Sequence, residues 1–135
     1  MADRAHGIRL DTSAVVAHLR GRIDMLALTT PAEPLFLPLV ALGELYNGAE
    51  KSANPTKNRR QVDDFLQIAS LLYPDSATAG RYAKTALALE TKGQLIPEND
   101  IRIAAVALEC DMPLATLDAH FQRVDGLTVI QWQAP

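Results

Sequence analysis

Four acidic residues that are far apart in the chain stand where an α/β fold would bring them together: Asp11, Glu44, Asp100 and Asp118. Asp11 directly follows the first short apolar run, and Asp118 lies two residues past another such run, "LAT". Parallel strands end at a common rim of their sheet and ligands bind outside that rim, so both carboxylates should lie there. Asp100 falls in the first turn of the helix that leads into "LAT", and Glu44 lies inside an earlier helix with small neighbours one turn away. We therefore expect one shared acidic site.

Carboxylates that are brought together repel one another and raise each other's pKa unless a cation joins them. Oxygen ligands favour Mg²⁺ or Mn²⁺ over zinc, since no cluster of histidines or cysteines accompanies the acids. Ions held in this way activate water and stabilise the leaving oxygen of a phosphodiester. The acids thus predict metal-dependent hydrolysis of a phosphodiester.

Each acid taken alone also has an ordinary structural explanation. Asp11 suits the N-cap of a helix, and Asp100 suits the positive end of a helix dipole. Glu44 is compatible with an exposed helix position, and Asp118 with a turn. It is the combination of two acids on one strand rim with two on apolar helices that favours a metal site.

The helix around Asp100 is unusually apolar. The segment Leu95–Cys110, "LIPENDIRIAAVALEC", leaves almost no polar face after its first turn, and a helix that is apolar all round is normally buried. A carboxylate at the mouth of a buried helix is costly without a partner. We interpret this helix as packed beneath the site, with Asp100 facing a cation.

The remaining pattern predicts short apolar strands that alternate with helices. Strands are expected at residues 8–10, 35–37, 114–116 and through Val129 and Ile130. A helix capped by Thr12 or Ser13 should stop near Gly21. A further helix is expected at 39–50. Another follows "ANP", and its apolar face comprises Val62, Phe65, Leu66, Ala69 and Leu72. A third runs from Asp75 or Ser76 to Gly93, and its apolar stripe comprises Ala79, Tyr82, Ala83, Ala86 and Leu89. This alternation predicts the α/β class, a three-layer α/β/α domain with a mainly parallel central sheet.

The composition is that of an ordinary globular protein, with 48% hydrophobic and 21% charged residues among 135. We expect a single domain over residues 1–135. The net charge of −3 disfavours a basic protein that coats nucleic acid, but not an enzyme with a local basic patch. The lone Cys110 excludes a disulfide framework, and the start "MADRAHGIRLD" lacks the apolar run of a secretory signal. We therefore expect a cytoplasmic protein without a membrane span.

Four segments resemble the motif regions of PIN-domain ribonucleases, most closely VapC-type toxins of bacterial toxin–antitoxin pairs. They are "LDTSAVVAHLRG", "LVALGELYNGAEKS", "IPENDIRIAAVALE" and "TLDAHFQRVDGLTVIQW". The resemblance runs from about Ile8 to Trp132, in the family's order. It implies a small Mg²⁺- or Mn²⁺-dependent endoribonuclease that leaves a 3′-hydroxyl and a 5′-phosphate. It also implies a homodimer and inhibition by a VapB-type antitoxin.

The resemblance carries the family's acidic site onto the same four acids of this chain. It favours Asp11 and Asp100 as direct metal ligands, while Glu44 and Asp118 hold a second ion or waters. Three polar residues, by their positions, can hydrogen-bond to the acids and orient them: Ser13, Asn99 and Thr116. Leu117 departs from the family pattern, which often has a basic residue before the last acid, so no phosphate contact is expected there.

Two other functions fit the same residues. One is a non-catalytic interaction module that keeps a PIN fold, although a scaffold gains nothing from crowded acids. The other is a Mg²⁺-dependent phosphohydrolase with Asp11 as nucleophile, although Thr12 and Ser13 break the D-x-D pattern of many such enzymes. His120 is interpreted as a packing or surface residue. The basic region Lys51–Arg60 is taken as a solvated helix end, with an RNA-phosphate contact as the alternative.

Overall fold

The architecture comes from a computed structural model that describes residues 6–135. Its strands are β1 (Ile8–Leu10), β2 (Leu35–Pro38), β3 (Ala69–Leu72), β4 (Leu114–Thr116) and β5 (Val129–Gln131). They form one sheet in the order β3-β2-β1-β4-β5, and every neighbouring pair is parallel. Every residue of the three central strands is buried, as expected for a parallel sheet covered on both faces. The predicted α/β/α class is confirmed.

The helices connect successive strands. They are α1 (Thr12–Leu19), α2 (Met25–Leu28), α3 (Leu39–Glu50), α4 (Pro55–Phe65), α5 (Ser76–Lys92), α6 (Glu98–Glu109) and a 3-10 helix (Ala119–Arg123). The N-cap of α5 is Asp75, and Gly93 ends this helix in the left-handed conformation at φ 67°. Both predicted ends of α5, its start at Asp75 and its stop at Gly93, are therefore confirmed.

Helix α6 supplies the largest buried helical face, as its composition predicted. Six of its residues are buried: Ile101, Ile103, Ala104, Ala105, Val106 and Ala107. Pro97 is the residue immediately before the first turn, and its fixed φ suits a helix start. The burial of α6 against the core sets the position of its acidic first turn.

The predicted helix through Leu72 was wrong at its end. Helix α4 stops at Phe65, and Ala69–Leu72 is the edge strand β3, which pairs with β2. Ala69 and Leu72 are both buried and three residues apart, so their spacing imitates a helical stripe. The pairing of Leu35 with Ala69 decides the strand, and this contact is not local in sequence.

Two further local expectations need comment. Asp11 caps α1, which confirms the N-cap role suggested for it, whereas the cap expected from Thr12 or Ser13 is wrong. On α5 the expected stripe is only partly buried, because Ala79 and Ala83 are exposed while Leu89 is buried. The other buried positions of this helix are the threonines Thr78 and Thr85. Threonine is not counted in an apolar periodicity, although its methyl group packs.

Within residues 6–135, no helix is long and apolar enough to cross a membrane. The expectation that the chain lacks a secretory signal falls partly on residues 1–5, which lie outside the described residues.

Gly7 should be indispensable for the start of β1. It has φ +115°, and a Cβ there would lie 2.3 Å from the carbonyl oxygen of Pro34. That oxygen accepts the Ile8 N–H at 2.9 Å, so it cannot move without disturbing the β1–β2 pairing. We expect Gly7→Ala to lower the free energy of unfolding by about 2 kcal/mol or more in urea denaturation.

Gly80→Ala is the matched control. Gly80 lies within α5, where a Cβ meets nothing within 4 Å, so alanine should stabilise the protein by roughly 0.5–1 kcal/mol through helix propensity. Equal unfolding midpoints for the two variants would contradict the packing described around Gly7.

Candidate metal centre

The first acid of the site, Asp11, is buried at the end of the central strand β1, with 1% of its surface exposed. Its Oδ1 accepts the backbone N–H of Ala14 at 3.0 Å, which makes it the N-cap of α1. The hydroxyl of Ser13 donates to the same carboxylate at 2.8 and 2.9 Å. The hydroxyl of Thr116, the last residue of β4, donates to Oδ2 at 2.9 Å. The carboxylate is thus fixed by two neighbouring elements.

Burial raises the pKa of Asp11 from its usual 3.8 to about 6. The hydrogen bonds from Ala14, Ser13 and Thr116 lower this pKa, and the nearby charge of Asp118 raises it. A buried carboxylate whose donors do not fully offset its desolvation is stabilised by a cation at the same place.

The segment after β4 holds Asp118 on the same rim. The backbone N–H of Asp118 donates to the Thr116 hydroxyl at 2.9 Å, and the Leu117 N–H donates to the Ser13 hydroxyl at 3.1 Å. Since Ser13 and Thr116 also bind Asp11, one network positions both acids. The rim predicted from the strand ends is therefore the arrangement that the fold adopts.

Asp100 reaches this rim from the first turn of α6. Burial raises the pKa of its carboxyl, His120 lowers it, and the charges of Glu44 and Asp118 raise it. Its Oδ2 lies 2.6 Å from Nε2 of His120. Asp100 is therefore within electrostatic reach of two other acids and in direct contact with one imidazole.

Glu44 joins the group from α3. Its Oε1 accepts the hydroxyl of Thr12 at 2.7 Å, which ties the middle of α3 to the first turn of α1. Glu44 also lines a groove of about 170 Å³ between α1, α3 and α4. Gly48, one turn along α3 from Glu44, lines the same groove.

The three predicted orienting residues differ in what they contact. Ser13 and Thr116 both donate to Asp11. Among the described residues, Asn99 has no hydrogen bond to any of the acids. Its Oδ1 instead accepts from Arg102 at 3.4 Å, one turn along α6.

His120 is the site residue that sequence reasoning missed. The sequence favours a packing or surface role for His120 over an approach to substrate, yet its ring contacts Asp100. The signal available in the sequence was its place two residues after Asp118, on the same side of the sheet.

The residues present fit a divalent cation. Asp100, Asp118 and His120 each offer one ligand atom, and these atoms all lie within 4.8 Å of one another. Asp11 lies outside this trio, although the charge of Asp118 raises its pKa. Carboxylate oxygens and an imidazole nitrogen are a donor set that divalent first-row metals accept.

Comparison with known proteins gives matches over most of the chain. A family model described as PIN domain matches residues 8–127. Ribonuclease VapC2 of Haemophilus influenzae is 32% identical over 126 residues, which cover 91% of this chain and 96% of that protein. The tRNA(fMet)-specific endonuclease VapC of Shigella flexneri is 31% identical over 94 residues, covering 69% and 71%. The crystal structure of VapBC2 from Rickettsia felis bound to a promoter DNA fragment matches with a TM-score of 0.87 at 25% identity, covering 93% and 98%.

The raised pKa of Asp11 has a measurable consequence for stability. Between pH 4 and pH 6 the folded state binds more protons at this group than the unfolded state, so its contribution to stability falls as pH rises. Asp11→Asn removes this cost. We expect the metal-free variant to gain on the order of 2 kcal/mol relative to wild type between pH 4 and pH 7.

Urea unfolding at several pH values, with a chelator present, measures this difference. Asp64→Asn, at an exposed position of α4, serves as the control and should follow the wild-type curve. Parallel curves for Asp11→Asn and wild type would contradict the burial described for Asp11.

Proposed function

Because this chain belongs to the PIN-domain family, as its four motif regions predicted, we propose that it is a Mg²⁺- or Mn²⁺-dependent endoribonuclease toxin. The observation that supports this most directly is the mutual influence of the acids. Asp118 raises the pKa of Asp11, and Glu44 and Asp118 raise that of Asp100. The ligand atoms of Asp100 and Asp118 also lie within 4.8 Å of each other, and acids this close are stabilised by a shared cation.

In this proposal the ion is held at the rim by Asp100 and Asp118, with Asp11 on the buried side and Glu44 on α3. When bound, it would neutralise the acids, activate water and stabilise the leaving oxygen of an RNA phosphodiester. Ser13 and Thr116 keep the Asp11 carboxylate in one orientation. A ligand fixed in this way needs little reorganisation when the site is loaded.

The choice between Mg²⁺ and Mn²⁺ rests on the donor chemistry. Carboxylate oxygens suit both ions, and both are used in phosphodiester hydrolysis.

We also propose a VapB-type antitoxin as the partner. The relatives at 25% identity or more include VapBC2 of Rickettsia felis and VapBC-1 of Haemophilus influenzae. A nuclease that cuts cellular RNA requires such control. We further propose that residues 1–135 act as a single domain, as a homodimer, in the cytoplasm.

The phosphohydrolase alternative is disfavoured by the surroundings of Asp11. A carboxylate that attacks phosphorus must present a free oxygen to its substrate. Both oxygens of Asp11 accept hydrogen bonds, and the residue is 1% exposed. A phosphorylated Asp11, detected by mass spectrometry after incubation with a phosphodonor, would restore that alternative.

Cleavage of RNA tests the proposed function. Purified protein should cut RNA when Mg²⁺ or Mn²⁺ is added and should stop when a chelator is added. We expect Asp100→Asn to lower the cleavage rate roughly 100-fold or more, because a direct ligand is lost. The substrates should include tRNA, since the Shigella flexneri relative is named as an endonuclease specific for tRNA(fMet).

Asp64→Asn is again the control and should cleave at the wild-type rate, because Asp64 lies on the exposed face of α4. If Asp100→Asn cleaved as fast as this control, the assignment of the site would be wrong. If wild type cut no RNA with either ion, the interaction-module alternative would replace the nuclease.

Neutralisation makes a separate prediction. Expression of the wild-type chain alone should arrest bacterial growth, while Asp100→Asn should permit growth. Co-expression of a VapB-type antitoxin should restore growth to cells that express the wild-type chain. The antitoxin should also co-purify with Asp100→Asn, since we expect this substitution to preserve the fold. Arrest that persists despite a co-purifying VapB-type protein would contradict the antitoxin role.

A further inference from the structure

His120 occupies a fixed position beside the acids. It lies in the 3-10 helix that follows Asp118, and its neighbour Phe121 is fully buried in the core. The ring of His120 lies 4.9 Å from the ring of Phe121, centroid to centroid, at 41°. The anchoring of Phe121 therefore limits how far the imidazole can swing away from the rim.

The side chains of His120 and Asp100 are 25% and 15% exposed, so their contact is partly shielded from water. Nε2 of His120 lies 2.6 Å from Oδ2 of Asp100. In the neutral tautomer that carries its proton on Nδ1, an imidazole offers the Nε2 lone pair to a metal ion.

A simple ion pair would explain the contact with Asp100 but not the third group. Asp118 also places a carboxylate oxygen in the same triangle, with all three ligand atoms within 4.8 Å. Ligands that lie about 2.1 Å from one ion are separated by about 4.2 Å at most. Side-chain rotation is therefore enough to bring the three ligand atoms around one ion.

We infer that His120, Asp100 and Asp118 bind the divalent ion together, with His120 as a nitrogen ligand. This inference rests on the proposed nuclease function. Imidazole suits first-row transition ions, whereas Mg²⁺ prefers oxygen ligands and gives up its waters reluctantly. The imidazole therefore adds to the preference of the site for Mn²⁺ over Mg²⁺. An all-carboxylate site would have a weaker preference, because the imidazole nitrogen favours the transition ion.

Metal binding to the metal-free protein tests the inference without a cleavage assay. Calorimetric titration should show Mn²⁺ binding about tenfold or more tighter than Mg²⁺. His120→Gln should weaken Mn²⁺ binding about tenfold and leave Mg²⁺ binding within about threefold. Pulsed electron paramagnetic resonance of bound Mn²⁺ should show coupling to an imidazole nitrogen in wild type, and this coupling should be lost in His120→Gln.

Two further variants separate ligation from a structural role. His6→Gln, at an exposed position near the start of β1, should bind both ions like wild type. His120→Asp replaces nitrogen with oxygen and should shift the preference toward Mg²⁺, which loss of packing would not do. Circular dichroism checks that each variant is folded, and the nitrogen coupling in wild type needs no variant at all.

The outcomes distinguish this inference from the proposed function. If wild type cuts RNA but binds Mn²⁺ with no nitrogen coupling, His120 is not a ligand and the nuclease still stands. Equal Mn²⁺ affinities for wild type and His120→Gln would likewise show that His120 is not a ligand and would leave the nuclease function standing. If wild type binds neither ion and cuts no RNA, the proposed function itself fails.

Discussion

The buried carboxylate of Asp11 is the constraint on which the rest of the site depends. It ends the central strand with 1% of its surface exposed, and its oxygens are bound by donors from α1 and β4. These hydrogen bonds align the first turn of α1 with the end of β4. Burial nevertheless leaves the pKa of Asp11 at about 6, so the carboxylate costs stability when it is charged and no cation is near. The fold thus keeps at the end of its central strand a carboxylate that is better suited to binding a cation than to packing.

The sheet order explains why the other acids come to the same place. Strand β1 lies beside β4, so the segment after β4 brings Asp118 near Asp11, while His120 of the same segment contacts Asp100. Helix α6 precedes β4 and is buried through its apolar face, which leaves its first turn at the rim. This placement accounts for an acidic turn at the start of a buried helix. Asp100 lies there in contact with His120 and near Glu44 and Asp118, with only 15% of its side chain exposed.

The sequence was informative wherever a local pattern decided the structure. Short apolar runs followed by an acid or a proline predicted β1, β2 and β4, and hence the rim that carries Asp11 and Asp118. Strand β3 was missed because the spacing of Ala69 and Leu72 suits a helix, and only pairing with distant β2 makes it a strand. The contact of His120 with Asp100 joins two elements 20 residues apart, and no local pattern encodes it.

The location of the bound ion tests the central claim most directly. Crystals of the metal-free protein can be soaked in Mn²⁺ and measured at the manganese absorption edge, where the anomalous signal marks the ion without assumptions about its ligands. We predict a peak between the carboxylates of Asp100 and Asp118, on the side of the rim that faces Asp11. A peak elsewhere on the molecule, with none at this rim under saturating Mn²⁺, would contradict it.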